Sequence, residues 1–184
     1  MQNPPNAPSH PTLPQRILAY RWLYICALAV LALDQLTKAW IARLMPLGTY
    51  APPLRIEVIP NFFNLVHVGN TGAAWSILAG RSTLLALLAV AALVAIYFLR
   101  HTIALRRRAP QIAFGLLSGG IIGNLVDRLA HGHVIDFLDF HFGSYTYPAF
   151  NIADSGICIG VVMYVLITFL TRGTEGQSTV FREK

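Results

Sequence analysis

The chain carries only eight acidic side chains in 184 residues, and most of them stand beside amides or bases in apolar surroundings. Asp34 and Lys38 lie four apart in "DQLTK". Asn124, Asp127 and Arg128 share "GNLVDR", Asp136 and Asp139 interrupt "HVIDFLDF", and Asn151 and Asp154 open "NIADS". Two carboxyl groups that face each other can share one proton, so that one activates a water while the other protonates the leaving group. That is acid–base hydrolysis without a metal. Spacing alone leaves open which of Asp127, Asp136, Asp139 and Asp154 would form such a pair.

The elements that must position these residues are membrane spans. A hydrophobic content of 55% with 12% charged residues describes a membrane protein better than a soluble domain. Apolar runs long enough to cross a bilayer cover 22–43, 80–99, 110–129 and 151–171. The first is too long for a signal peptide, despite "ALA" at 27–29, because it resumes after Asp34 through "LTKAWIARL". Arg16 and Arg21 precede it, Arg100, Arg106, Arg107 and Arg108 separate spans two and three, and Arg172, Arg182 and Lys184 follow span four. The positive-inside rule puts these segments and both termini in the cytoplasm. Connections 44–79 and 130–150 then face outward. The formal charge of +6 is thereby assigned to topology, and no nucleic-acid partner is expected.

The expected fold is an all-α integral membrane protein of four transmembrane helices, with a small sheet-like region between helices one and two. There "LRIEVI" and "FFNLVHV" are β-branched and aromatic runs parted by Pro60 and Asn61. Residues 1–20 read as a disordered cytoplasmic tail, 21–171 as the membrane domain and 172–184 as a second cytoplasmic tail; the proline-rich start cannot bury a core. Gly115, Gly119 and Gly123, and then Gly156 and Gly160, form stripes that admit close helix packing. Cys26 and Cys158 read as small buried apolar residues rather than a disulfide.

Taken singly, the polar residues have simple explanations. Asp34 and Lys38 suit a helical ion pair, Asn151 a helix N-cap, and Asp154 a favourable charge in a first turn. Convergence favours a site, because spans one, three and four all carry amides and charges at their outer ends while span two carries almost none. Other chemistries fit less well. His131, His133 and His141 surround Asp136 but lack a zinc-binding helix motif, and Lys38 has no serine at a telling spacing among Ser76, Ser118 and Ser155. A four-span proton-coupled transporter of small molecules is the alternative from another class. It predicts charges near the midplane and a repeat, and neither is evident.

The blocks "DQLTK", "NTGAAWS", "GGIIGNLVDRL", "HVIDFLDF" and "FNIADS", in this order, resemble the lipoprotein signal peptidases, also called signal peptidase II. These are aspartyl endopeptidases of the bacterial inner membrane. The resemblance implies cleavage of diacylglyceryl-modified prolipoproteins just before the lipidated cysteine, with no cofactor or metal, by a monomer among membrane lipids and with the site near the periplasmic face. It implies Asp136 and Asp154 as the catalytic pair, which leaves Asp127 and Asp139 outside it. It also implies that Asp34, Lys38, Asn70, Gly120, Asn124, Arg128, Asn151 and Ala153 bind substrate or support the dyad. Trp75 stands where the family commonly has phenylalanine.

Overall fold

The computed structural model describes residues 12–180. Among these residues five α-helices and four strands follow in the order α1 (Leu13–Ala19), α2 (Arg21–Leu44), β1 (Ile56–Ile59), β2 (Phe63–Asn70), α3 (Ser82–Leu99), α4 (Arg108–His131), β3 (Val134–Phe142), β4 (Tyr145–Thr146) and α5 (Ile152–Val180), with a short 3-10 turn at Ala74–Ser76 before α3. Four of the helices, α2 to α5, are long and apolar enough to cross a membrane. Residues 13–19 are helical, so the unstructured tail expected up to residue 20 is corrected over that stretch. The expectation for residues 1–11 lies outside the described residues.

Helix α4 is the centre of the bundle, packing on α2, α5 and α3. Its glycines explain how. A Cβ on Gly119 would stand 2.5 Å from the Ala27 carbonyl of α2, and one on Gly120 would collide with the Ala153 carbonyl of α5. Gly160 answers from α5, where a Cβ would meet the Ala113 carbonyl of α4 at 2.6 Å. Small residues on both surfaces thus bring three backbones into close approach, which is how helices gain contact where lipid is as apolar as leucine. Helix α3 is the outlier, with Ala86 alone buried, and most of its surface is left to lipid.

The fold is not purely helical, and its sheet is larger than the sequence reading allowed. A four-stranded antiparallel sheet runs β1-β2-β3-β4, taking two strands from the connection after α2 and two from the connection after α4. "VIDFLDFHF" is therefore a strand, as its β-branched and aromatic content permits. Gly132, in the left-handed region at φ 75°, ends α4 and turns the chain into β3. Phe137 on β3 packs with Ile41 and Met45 at the end of α2, which anchors the sheet to one end of the bundle.

Candidate active site

Strand geometry separates the two acids of β3. Side chains alternate faces along a strand, so residues three apart point in opposite directions. Asp136 lies opposite Val68, on the face shared with Asn70, and lines a cleft of about 1230 Å³ together with Arg128, Asp154 and the apolar walls Leu88, Ile121 and Ile157. Asp139 lies opposite Asn64 on the other face. It is fully buried, accepting from Asn64 Nδ2 at 3.1 Å and lying 2.6 Å from His141 Nε2.

Asp154 reaches the same cleft from the first turn of α5, where Asn151 is the N-cap. The Asn151 Oδ1 accepts from the Asp154 amide at 2.9 Å, and the Asp154 Oδ2 accepts from the Asn151 amide at 3.3 Å, a reciprocal cap. Because the Asn151 oxygen is committed to the helix, its Nδ2 must face the other way. It donates to Asp136 Oδ1 at 2.7 Å. One asparagine thus touches both carboxyl groups. The same logic orients two more amides. Asn70 Oδ1 accepts from the Gly72 amide at 2.8 Å, which aims its Nδ2 at Asp136 Oδ2 at 3.0 Å. Asn124 Oδ1 accepts from Lys38 Nζ at 3.0 Å, which aims its Nδ2 at Asp154 Oδ1 at 2.7 Å.

Behind this layer Lys38 is 2% exposed and spends its remaining donors on Asp34 and Asp127, each at 2.8 Å. Three acceptors match the three donors of an ammonium. Asp34 Oδ1 also accepts the Ala153 amide at 2.9 Å, and Asp127 Oδ2 the Ile135 amide at 3.1 Å. Gln35 donates to both carboxyl groups. The cluster therefore ties α2, α4, β3 and α5 together beneath the cleft. Gly123 is part of this packing, since a Cβ there would stand 2.5 Å from Asp34 Oδ2.

Burial, and then the nearby charge of Asp154, push the Asp136 carboxyl up from its ordinary 3.8 to about 7, against the opposing pull of Asn70, Asn151 and Lys38. Arg128 donates to the Gly72 carbonyl at 3.0 Å, while its buried Nε has no partner among the described residues.

The eight residues expected beside the acid pair all fall in or directly behind the cleft. Gly120 and Ala153 do so as a tight α4–α5 contact, where a Cβ on Gly120 would collide with the Ala153 carbonyl, and Ala153 also through its amide. The reading missed Gln35 and the part played by Asp127. The signal for Gln35 was an amide next to an acid within an apolar span. The histidines do not gather on Asp136: the His131 and His133 rings lie 6.0 Å apart, tilted by 38°, and His141 belongs to Asp139. Lys38, bound on all sides by Asp and Asn oxygens, is not presented to a serine. Cys158 is exposed on α5 and lines the cleft, and Cys26 is half-buried, so the expectation of two buried cysteines is corrected.

Four apolar helices and an acid-lined cleft describe a multi-pass membrane protein of the enzyme kind. The family model described as signal peptidase (SPase) II matches residues 26–170. Lipoprotein signal peptidase of Syntrophotalea carbinolica is 43% identical over 155 residues, covering 82% of this chain and 92% of that protein. The protein of the same name from Oleidesulfovibrio alaskensis is 44% identical over 158 residues, covering 80% and 94%. A bacterial membrane enzyme solved by the in meso method at 2.3 Å superposes with a TM-score of 0.73 and 36% identity, over 83% of this chain and 90% of that one. The chain belongs to the signal peptidase II family. Membership in a peptidase family sets the transporter alternative aside.

Proposed function

We propose that this protein removes signal peptides from prolipoproteins, cutting just before a diacylglyceryl-modified cysteine, with Asp136 and Asp154 as its catalytic pair. The observation that carries the pairing is Asn151, which holds Asp136 through its side chain and Asp154 through its backbone at the wall of one cleft. The pair shares one proton. The ionised partner takes a proton from a water as that water attacks the scissile carbonyl, and the protonated partner delivers its proton to the leaving amine. Since Asp136 holds its proton up to about pH 7, neutral conditions supply the singly protonated pair, and cleavage declines as pH rises beyond that value.

The amides around the dyad serve to keep it in register, because each is locked by a partner that can only donate. Arg128 lines the cleft beside the dyad, where its guanidinium can hold a peptide carbonyl, and the apolar walls of the cleft suit the acyl chains of the modified cysteine. A substrate helix must open into extended chain before it can be cut. The protein would sit in the bacterial cytoplasmic membrane with both termini inside and the cleft near the outer face. The arginines at the end of the bundle opposite the sheet support that orientation.

The test uses purified protein and a diacylglyceryl prolipoprotein. Asp136→Asn and Asp154→Asn should each bind the substrate and leave it uncut, and a metal chelator should leave wild-type cleavage unchanged. Full activity in either variant would remove the proposed dyad.

A further inference from the structure

At the end of the bundle away from the cleft, three arginines meet around a second cavity. Arg21 from the start of α2, Arg106 from the α3–α4 connection and Arg108 from the start of α4 line a space of about 270 Å³ with Leu18, Trp22 and Gln111. The Arg108 guanidinium carbon lies 4.3 Å from the centre of the Trp22 ring, and that of Arg21 lies 6.0 Å from it. Two like charges are thus gathered on one indole. None of the three arginines forms an ion pair among the described residues. Among the described residues, the acidic side chains belong to the cleft, its supporting cluster or the sheet.

The cavity is built into the fold. Gln111 is 3% exposed and is fixed at both ends of its amide: Oε1 accepts the Trp22 amide at 3.2 Å, and Nε2 donates to the Ala19 carbonyl at 2.7 Å and the Arg106 carbonyl at 3.3 Å. One side chain on α4 therefore joins the α1–α2 corner to the α3–α4 connection. Buried Leu105 anchors that connection as well. Topological bias explains arginines at this end of the protein. It does not explain a cavity lined by a buried glutamine with three guanidiniums on its wall.

We propose that this cavity binds the phosphodiester headgroup of an anionic glycerophospholipid. Guanidinium forks match phosphate oxygens, and a preformed basic pocket between membrane helices offers such a group what solvent offers less well. The occupant is a lipid rather than a free anion because Leu18 of the cavity wall belongs to elements that carry further exposed apolar side chains. Leu13, Ile17 and Leu18 on α1 are 71%, 52% and 60% exposed, and Ile25 and Leu28 on α2 are 52% and 64% exposed. Helix α1 thus lies beside the cavity with an apolar side left for acyl chains, and Trp22 has the amphipathic character of an interfacial anchor.

The experiment measures association of spin-labelled phosphatidylglycerol and phosphatidylcholine with the purified full chain in phosphatidylcholine nanodiscs by electron paramagnetic resonance. Wild type should prefer the phosphatidylglycerol. Arg106→Gln, which removes a side chain without a hydrogen bond among the described residues, should reduce that preference about fivefold. The triple change Arg21→Gln, Arg106→Gln and Arg108→Gln should abolish it. Arg100→Gln with Arg107→Gln removes two charges at the same end but none from the cavity wall, and should keep most of the preference. Three results would overturn the proposal: an unchanged preference in Arg106→Gln, an equal loss in the Arg100/Arg107 control, or displacement of the lipid by inorganic phosphate or glycerol phosphate at equal concentration. The last would identify a soluble-anion site.

Discussion

Asp136→Asn should stabilise the protein at alkaline pH and destabilise it at acid pH, a sign change that follows from two features of the carboxyl group. The first is its shift. Burial and Asp154 raise its pKa from 3.8 to about 7, so the folded state favours the protonated acid. That contribution to stability is complete below about pH 4 and is lost as pH rises through about 7, a difference of about 4 kcal/mol on the alkaline side. Asparagine is neutral throughout and escapes this loss. The second feature is the hydrogen bonding. Asp136 accepts from Asn70 Nδ2 and from Asn151 Nδ2, and both donors are held in place by their own committed oxygens. An asparagine at 136 can accept from only one of them, and the buried donor left over costs about 1–3 kcal/mol at any pH. Above pH 8 the variant should therefore be more stable by about 1–3 kcal/mol, and near pH 4 less stable by a similar amount. Reversible unfolding in mixed micelles, followed across this range, reads the difference directly. A difference that does not vary with pH would refute the account of Asp136 as a buried acid that the fold prefers to keep protonated.

Lys38→Met removes the ammonium that stands between the buried carboxyl groups of Asp34 and Asp127 and frees Asn124 to flip. It should cost about 3–5 kcal/mol of stability, and detergent-solubilised variant that remains folded should show a lower kcat at nearly unchanged KM. Gly120→Ala forces a methyl into the Ala153 carbonyl and should lower stability by about 1–3 kcal/mol with loss of cleavage, whereas the same change at Gly143, where nothing lies within 4 Å of a Cβ, should leave the cleft intact and cost only backbone strain. Asp139→Asn lies on the opposite face of β3 and should retain measurable turnover in the prolipoprotein assay; complete loss would mean that the two faces of the sheet had been misassigned.

The spans were legible because bilayer length imposes long apolar runs, and the glycine stripes were legible because helices in lipid need small residues to meet. The sheet was only half legible. β1 and β2 lie in one connection and are joined by a turn, but β3 pairs with β2 across the whole of α3 and α4, a long-range contact that no local pattern announces. The acids of β3 also disguised it, since their odd spacing breaks the alternation of a one-sided strand. That odd spacing is what sends Asp136 to the cleft and Asp139 away from it. Asp127 was obscured by its neighbour. Adjacent helical residues diverge by roughly 100°, so Arg128 lines the cleft while Asp127 turns inward to Lys38. The amide orientations could not be read from sequence, because each depends on a donor brought from another element.

The reciprocal cap at the head of α5 has a consequence for biosynthesis. Asn151 and Asp154 open α5, which leaves the ribosome after Asn70, Asn124, Asp136 and the Lys38 cluster have been made. A chain arrested before that span holds one carboxyl group without its partner, and the Asn151 donor that steadies Asp136 does not yet exist. With the proposed dyad, hydrolytic competence arrives in a single step with the insertion of α5, and a protein whose α5 is not yet inserted does not cut the precursors that share its membrane.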